Sequence, residues 1–589
     1  MDGVAIATDR KLGRIVSISG SQVMMLLEDV ADEFRLQLGA LVKTRTSHTT
    51  VFGVVTALDI PLPAQEPSDG EYKLVELELI GEMPNAQGTA ARFRRGVSGS
   101  PALGDNVLAA TANDLAVVFQ SPSVSAVRIG SVHQDPSIPA YIVTDDLLGK
   151  HFAILGNTGT GKSCAVALIL RSILSRHPHG HAVLLDMHGE YAPALDGMAE
   201  VLAPGNLDLP YWLFNFEEIE EVVLADSKDR AVESAILSEF ILTARRSQIS
   251  NPERAEALTV DTPVAYRMGG LMRMLDEAAG RLDKGRDPRP FLRLKTRLGV
   301  LQADARYAFM FPGLTVRDNM VQILSRLFRI PAAGKPATII DLSSIPSEVL
   351  NVVVSVLCRM TFDFALWSER SCPILLVCEE AHRYCPTDAS RGFEPTKRAL
   401  SRLAKEGRKY GVSLCLVSQR PSELASTVLS QCNTIFALRM SHPSDQEYVR
   451  GALSESAAGL LGFLPSLRNA EAIALGEGIA VPVRICFDPL PEANRPLGGT
   501  ASFSSAWQRD IDNTDFLAAV VERWRRSGAE LFGRAPLRGV RSGVALRAQR
   551  PHRVFSHTVA TGVAGEPTAP GNRSGGAVRR NRLRFLARR

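Results

Sequence analysis

Residues 151–163 read His-Phe-Ala-Ile-Leu-Gly-Asn-Thr-Gly-Thr-Gly-Lys-Ser, and this stretch decides the fold. It matches G-x-x-x-x-G-K-[ST], the pattern of a loop whose main-chain N–H groups cradle phosphate. The apolar run 152–155 predicts a buried strand, and the apolar spacing over 164–176 predicts a helix. Strand, glycine-rich turn and helix together indicate a nucleotide site with the phosphates at the helix N-terminus. The alternative is a strand-turn-helix that is glycine-rich by chance.

The loop offers specific groups to a nucleotide. Lys162 is expected to reach the β- and γ-phosphates of ATP, and the Ser163 hydroxyl is expected to coordinate Mg²⁺. The predicted nucleotide-binding set of the loop is Gly156, Asn157, Thr158, Gly159, Thr160, Gly161, Lys162, Ser163 and Cys164.

Length and composition restrict the class of protein. A chain of 589 residues is too long for one hydrophobic core and indicates roughly two to four domains. The first residues lack a signal pattern and no apolar run reaches the length that a bilayer requires, so we expect a cytoplasmic protein without a membrane segment. Residues 534–589 hold thirteen arginines, one acid and no lysine, so the remainder of the chain is net negative. DNA binding by the remainder therefore requires a local basic surface.

The order of the predicted elements indicates two folded parts. Residues 1–100 read as short strands without intervening helices, which predicts a small β-barrel. Residues 101–149 read as a Pro- and Gly-rich connection with one strand at 126–130. Over 150–500 strands alternate with helices, which predicts an α/β core around a parallel sheet, with a helical insertion at 217–330.

The C-terminal region divides into a helix and a tail. An amphipathic helix is predicted within 501–533. Residues 534–589 are rich in Arg, Gly and Pro without an apolar pattern, so we predict a disordered basic tail. Such a tail either contacts DNA phosphates or is solvated and without function.

Two adjacent carboxylates follow the predicted strand at 372–378. Phosphoryl transfer requires one group in the Mg²⁺ shell, usually an Asp, and a second group that orients and deprotonates the attacking water. We therefore assign Glu379 to the metal shell and Glu380 to the role of general base. The alternative is a pair of acids that only stabilises a helix N-terminus through its dipole.

Polar side chains also follow two other predicted strands. One strand ends at Asp186, with His188 and Glu190 in the next turn, and another is followed by Gln419. Because ligands bind beyond the carboxyl ends of parallel strands, we expect these four residues near the nucleotide. Gln419 is expected to sense the γ-phosphate or the attacking water. The alternatives are a helix-capping Asp with a surface turn, and an ordinary strand-end turn at Gln419.

In this order the motifs resemble those of the HerA/FtsK group of P-loop ATPases, and of HerA-type DNA-translocating ATPases in particular. The resemblance covers roughly residues 5–530. The phosphate loop alone is shared by many ATPases, whereas the ordered set with a barrel and a helical insertion is more specific. The motifs that carry it lie at residues 13–22, 156–163, 186–191, 379–383, 407–411 and 418–422.

The resemblance implies a RecA-like ATPase core preceded by a HAS-type barrel that serves in docking and assembly. It implies a homo-hexamer with ATP and Mg²⁺ between neighbouring subunits and double-stranded DNA in the central channel. It also implies a partner enzyme, either a NurA-like nuclease or, in antiviral systems, a sirtuin-like or other effector.

The resemblance further implies a basic residue that reaches the neighbouring subunit's nucleotide. The corresponding position here is Lys150, where the family usually has Arg. Lys is a point charge without the bidentate fork of Arg, so this role is weaker than usual. Arg408, in the motif at 407–411, is the second candidate for the same role.

The expected function is an ATP-driven double-stranded DNA translocase or helicase that works with a nuclease or effector in DNA end processing or phage defence. The alternative is an ATP-regulated ring scaffold that activates an effector without processive movement. A membrane-embedded pump is disfavoured because no membrane segment was recognised. A D-E-A-H-box helicase is disfavoured because one α/β domain is apparent where two are required.

Overall fold

The structure is a computed structural model of the chain. It describes residues 9–28, 36–61, 72–85, 92–120, 125–280, 287–311, 316–345, 347–388, 392–452, 458–498, 503–508 and 514–530. The predicted basic tail at 534–589 lies outside the described residues.

The first sheet is a small barrel. Its strands are β1 (Lys11–Ser19), β2 (Gln22–Leu27), β3 (Leu41–Arg45), β4 (Thr49–Asp59), β5 (Lys73–Pro84), β6 (Arg94–Arg95) and β7 (Asn106–Ala109). The order β2-β1-β7-β3-β4-β5 closes on itself because β5 also pairs with β2, and β6 is added at the edge of β5. Strand alternation places one apolar face of each strand inside, and buried Leu12, Met25 and Val107 form part of this core.

Residues 101–149 contribute to both sheets of the protein. Strand β7 lies between β1 and β3 and completes the barrel, so the predicted barrel boundary at residue 100 is too early. The elements that follow are α1 (Ala112–Val118), β8 (Ala126–Val132), β9 (Pro139–Val143) and α2 (Thr144–Leu148). The prediction of a connection with one strand is therefore wrong. Strand β7 has only four residues, which is too short to show the alternation of a strand in sequence.

The second sheet has eleven strands. Its further strands are β10 (His151–Leu155), β11 (Ala182–Asp186), β12 (Ala199–Leu202), β13 (Ala337–Asp341), β14 (Ile374–Cys378), β15 (Val412–Ser418), β16 (Cys432–Leu438), β17 (Glu471–Gly476) and β18 (Val483–Phe487). Their order is β12-β13-β11-β14-β15-β10-β16-β17-β18-β8-β9. The strands from β12 to β16 are parallel, and those from β16 to β9 pair antiparallel. All residues of β10, β11, β14 and β15 are buried, as expected for strands with both faces covered.

Helices cover this sheet and form the insertion between β12 and β13. In chain order they are α3 (Lys162–Arg176), α4 (Phe216–Leu224), α5 (Arg230–Arg246), α6 (Pro252–Glu256), α7 (Met268–Gly280), α8 (Arg289–Ala303), α9 (Met320–Phe328), α10 (Ser347–Trp367), α11 (Glu394–Glu406), α12 (Ser426–Leu429), α13 (Pro443–Ala452), α14 (Ala458–Leu461), α15 (Phe503–Ala506) and α16 (Thr514–Glu530). Helices α4 to α9 are the insertion. The predicted fold class, an α/β P-loop ATPase core with a helical insertion after an N-terminal barrel, is confirmed.

A buried ion pair ties the insertion to the core. The side chain of Glu218 is only 1% exposed. Its Oε1 accepts a hydrogen bond from Arg359 Nε of α10, and its Oε2 accepts one from Arg359 Nη2, both at 3.0 Å. Glu218 also closes the capping box of α4 with Asn215. The start of the insertion is therefore fixed against the long core helix.

Helix α10 corrects one expectation. Among the described residues, Val349–Trp367 is long and apolar enough to cross a membrane by length and composition, although no such run was expected. In the fold 72% of this segment is buried inside the protein, where it packs between the sheet and α11. Its apolar character therefore corresponds to a core helix.

Candidate nucleotide site

The phosphate loop joins β10 to α3. A Cβ on Gly156 would lie 2.8 Å from Leu438 Cβ, and Gly161 has φ of 101°, so both positions require glycine. The carbonyl oxygen of Asn157 accepts hydrogen bonds from Thr160 Oγ1 and from Lys162 Nζ, both at 2.8 Å. The loop is thereby folded into a tight turn in front of the first N–H groups of α3, which have no partner within a helix.

Sheet order brings the predicted polar residues to this loop. Strands β11, β14, β15 and β10 are consecutive neighbours and parallel, so their carboxyl ends lie at one edge. Glu379 follows β14 directly, and its Oε2 accepts a hydrogen bond from Met187 N at 3.0 Å. Glu379 and Glu380 are only 4% and 5% exposed, so both carboxylates are enclosed at this edge.

Gln419 connects Glu380 to the phosphate loop. Its amide nitrogen donates to Glu380 Oε1, and its amide oxygen accepts from the Thr158 hydroxyl. The backbone of Glu380 has φ of 50°, an uncommon conformation for a non-glycine residue and one often found at functional sites. Glu380 Oε2 makes no hydrogen bond within the described structure and lies 3.3 Å from His382 Nδ1, while His188 Nε2 lies 3.8 Å from Oε1.

Burial favours the neutral forms of two central groups, the Lys162 amine and the Glu379 carboxyl group. Burial lowers the pKa of the Lys162 ammonium to about 8, against the attraction of Glu380, Glu379 and Glu190. Burial raises the pKa of Glu379 to about 8, and nearby Asp186 adds to this because its negative charge disfavours a second one. Several acids therefore surround one lysine in a poorly solvated site.

Asp186 shapes the site through the main chain. Its Oδ1 accepts hydrogen bonds from the N–H groups of residues 188, 189 and 190, and its Oδ2 accepts from Tyr191 N at 3.0 Å. Because Asp186 is fully buried and its oxygens are occupied, it organises the turn and is not placed to bind a nucleotide directly. Residues 488–498, which follow β18, form the C-terminal segment, and Glu190 lies beside it. The carbonyl oxygen of Glu190 accepts a hydrogen bond from Leu497 N at 2.9 Å.

The site can accommodate a cation without a protein cage. Among the described residues no group of three or more His, Cys, Asp or Glu could hold a metal ion. Mg²⁺ usually keeps water ligands and binds one or two protein groups together with substrate phosphates, so such a cage is not needed. The hydroxyl of Tyr191 lies beside Ser163 and near Glu379. Ser163 and Glu379, the two proposed metal ligands, are therefore in one region. The excess of buried acids fits a divalent cation there.

The remaining loop residue lies at the edge of this region. Cys164 is exposed in the first turn of α3. Although the residue is exposed as a whole, partial burial of its thiol group raises the pKa of Cys164, while Arg495 from the C-terminal segment acts in the opposite direction. The C-terminal segment therefore passes close to the start of the phosphate-loop helix.

Lys150 and Arg408 lie at the opposite edge of the sheet. Lys150 precedes β10, forms an ion pair with Glu477, and accepts a hydrogen bond at its carbonyl oxygen from Ser413 Oγ at 2.8 Å. Arg408 is exposed in the short helix Gly407–Tyr410 that precedes β15, close enough to His151 to oppose its protonation. The structure therefore does not bring these two residues to the phosphate loop of the same chain.

Two cavities correspond to these two edges. A polar cavity of 500 Å³ beside the phosphate loop is lined by Thr158, Gln419 and Asp445, among others. A more apolar cavity of 610 Å³ lies at the amino edge, where Ile173 and Gly411 belong to its lining. The larger cavity is thus separate from the phosphate-binding groups.

Sequence reasoning missed three features of the site. His382 beside Glu380 and the buried hydroxyl of Tyr191 both lie within recognised motifs, so their positions were visible but their contacts were not. The contacts of residues 497 and 498 with Glu190 had no local sequence signal, because they depend on the path of the chain after β18.

Much of the chain is similar to proteins that already have names. Residues 127–361 match the family model for the central domain of helicase HerA. The DNA double-strand break repair helicase HerA of Pyrococcus furiosus is 26% identical over 442 residues, which cover 68% of this chain and 74% of that protein. The protein of the same name from Sulfurisphaera tokodaii is 26% identical over 511 residues, covering 83% of this chain and 95% of its own. Among solved structures, VirB4 of Thermoanaerobacter pseudethanolicus aligns with a TM-score of 0.44 at 16% identity, over 63% of this chain and 98% of its own.

Proposed function

We propose that this chain, which is similar to HerA helicases over much of its length, is an ATP-dependent DNA motor that acts as a hexamer on double-stranded DNA. The observation that carries the proposal is the division of the site between two edges of one sheet. Phosphate-binding and water-activating groups lie at the carboxyl edge, whereas the basic residues Lys150 and Arg408 lie at the amino edge.

The length of β10 supports a site that is shared between subunits. From residue 150 to residue 156 an extended chain rises about 20 Å, at about 3.3 Å per residue. This exceeds the reach of a Lys or Arg side chain, so neither basic residue can contact phosphates bound by its own loop. Each contact of a closed ring joins two different surfaces, and in the proposed ring the amino edge of one subunit faces the carboxyl edge of the next. Lys150 or Arg408 then completes the neighbouring site.

Within each site the residues have separate roles. The loop N–H groups and Lys162 bind the phosphates, while Ser163 and Glu379 would hold Mg²⁺, which neutralises charge on the β- and γ-phosphates when bound. Glu380 accepts the proton of the attacking water at Oε2, the oxygen that lacks a hydrogen bond. Gln419 links Glu380 to the phosphate loop, because its amide group is hydrogen-bonded both to Glu380 and to Thr158. The basic residue of the neighbour stabilises negative charge in the transition state.

The rest of the proposal concerns DNA and partners. Duplex DNA carries about one charge per 1.7 Å of axis, so its channel must present Lys or Arg although the chain without its tail is net negative. We assign the barrel to docking of a nuclease or another effector enzyme in DNA end processing or phage defence, in the cytoplasm. The family match supports the motor, and the chemistry of the partner follows only from the resemblance of the motifs.

A triplex-displacement assay tests the motor. A third strand annealed at the far end of a long duplex should be displaced by the wild-type protein with ATP, and not by Lys162→Ala or Glu380→Gln. ATP hydrolysis that is stimulated by DNA but displaces no third strand would support the ring scaffold and refute the motor. Electron microscopy with an ATP analogue should show closed six-membered rings with a channel wide enough for a duplex, and a monomer under these conditions would refute the shared site.

A further inference from the structure

Tyr191 ends the turn that Asp186 organises, and its hydroxyl lacks a well-formed hydrogen bond among the described residues. Its main-chain N–H donates to Asp186 Oδ2 at 3.0 Å, which fixes the backbone. Its side chain is fully buried, and the Ser163 hydroxyl is close enough to act on the phenol without meeting the geometry of a normal hydrogen bond. Buried polar groups are nearly always hydrogen-bonded, so an orphan beside a binding site indicates a role in the bound state.

The surroundings of this hydroxyl identify the role. Ser163, the proposed metal ligand of the phosphate loop, is the hydroxyl group beside it, and Glu379 is the foremost of the nearby acids. A tyrosine phenol is protonated at physiological pH, so the Tyr191 hydroxyl is available for hydrogen bonding.

A serine that coordinates a cation must direct a lone pair at the metal and its proton elsewhere. A hydroxyl has one donor and two acceptor lone pairs, so a nearby acceptor settles its orientation. Groups that orient the ligands of a metal are a major part of metal affinity. The phenol oxygen of Tyr191, which lies beside Ser163, can serve as that acceptor.

We propose that Tyr191 is a positioning residue that accepts the Ser163 proton and so holds the Ser163 oxygen toward the Mg²⁺ of Mg-ATP. The inference rests on the nucleotide site of the proposed function and does not depend on movement along DNA. Tyr191 touches neither nucleotide nor metal, so its effect is exerted through Ser163.

The test is Tyr191→Phe in the full chain, with affinity for a fluorescent, non-hydrolysable ATP analogue measured in Mg²⁺ and in EDTA. Loss of one neutral hydrogen bond should weaken binding in Mg²⁺ by about fivefold and leave binding in EDTA unchanged. The melting temperature of the nucleotide-free protein should not fall, because the substitution removes only an unpaired buried hydroxyl. Equal weakening in Mg²⁺ and in EDTA would overturn the proposal, as would a wild-type affinity that does not depend on Mg²⁺.

Tyr384→Phe is the matched control. Tyr384 is also fully buried with an unpaired hydroxyl in the field of Glu379, but Ser163 is not among the groups that act on it. This variant should keep the wild-type affinity in Mg²⁺, and a loss equal to that of Tyr191→Phe would assign the effect to burial alone.

A double-mutant cycle with Ser163→Ala tests the coupling directly. If Tyr191 acts through Ser163, adding Tyr191→Phe to Ser163→Ala should cause no further loss in Mg²⁺. Independent, multiplicative losses would refute the proposal. A protein that binds Mg-ATP in this coupled way but does not displace a third strand would refute the motor and leave the role of Tyr191 intact.

Discussion

Glu380→Gln separates the binding of ATP from its hydrolysis. The side chain is 5% exposed, and glutamine has nearly the same shape, so the substitution leaves no cavity. The amide oxygen can still accept from Gln419, which keeps the link to the Thr158 hydroxyl and to the phosphate loop. The amide nitrogen then occupies the place of Oε2 near His382, where it cannot accept a proton from water.

The expected magnitude follows from this geometry. A positioned general base contributes about 10² to 10⁴ in rate, and the structure offers Glu380 Oε2 as the carboxylate oxygen without a hydrogen bond, so turnover should fall by about that factor. Binding should be retained, because the N–H groups of the loop and Lys162 are unchanged. Loss of the Glu380 charge removes one attraction on the Lys162 ammonium, but the phosphates of bound ATP provide a larger one.

The assay compares nucleotide binding with phosphate release in the presence of linear duplex DNA. Glu28→Gln is the control, because Glu28 is half-exposed and paired with Lys11 in the barrel rather than at the phosphate loop. The control should hydrolyse ATP at the wild-type rate. Wild-type turnover by Glu380→Gln would remove this carboxylate from the mechanism, and loss of binding would show that Glu380 is needed to form the site.

Three further predictions concern the loop, the opposite edge of the sheet and the response to acid. Lys162→Ala should abolish nucleotide binding in an equilibrium fluorescence titration, and retained binding would contradict the assigned role. Of Lys150→Ala and Arg408→Ala, one should lower ATP turnover by about 10³-fold or more while ATP still binds, and adding Lys162→Ala subunits should partly restore activity in mixed rings. Burial acts to raise the pKa of Glu471, but the Arg468 N–H and Arg484 outweigh it and hold the pKa below its usual value. Its stabilising effect is therefore present above about pH 4.5 and lost as the pH falls, so Glu471→Gln should flatten the fall in melting temperature between about pH 5 and pH 3.

The parts of the fold that could be predicted from sequence are those with a local signal. Strand β10, the glycine loop and α3 form one continuous pattern, and β14 and β15 are mainly apolar and buried throughout. Elements of four residues gave no such signal, and both β7 and β12 were missed. Their place in a sheet depends on pairing with distant strands, which a local pattern does not encode.

The site divides in the same way. The identities of Lys162 and Glu380 could be read from motifs, because each is fixed relative to its own strand. Which atoms they contact could not, since this depends on the order β11-β14-β15-β10. The motif that contains Asp186 predicted a residue near the nucleotide, whereas its oxygens bind main-chain N–H groups of the following turn. A carboxylate at a strand end can serve either purpose, and only the fold of the turn distinguishes them.

The charges of the site explain why ATP and a divalent cation fit it together. Burial moves the pKa of Lys162 and that of Glu379 to about 8, so near neutral pH the isolated site holds a lysine that is close to losing its proton and a carboxyl that is largely protonated. A bound phosphate stabilises the charged form of Lys162, and a bound cation stabilises the charged form of Glu379. Each ligand therefore favours the charged form of the side chain that it contacts. The cation also screens the phosphates from the remaining acids. Without the cation, the negative charges of the nucleotide would lie against Glu379, Glu380 and Glu190 with no positive charge between them. The change in nucleotide affinity on removal of Mg²⁺ is therefore the most sensitive measure of this site.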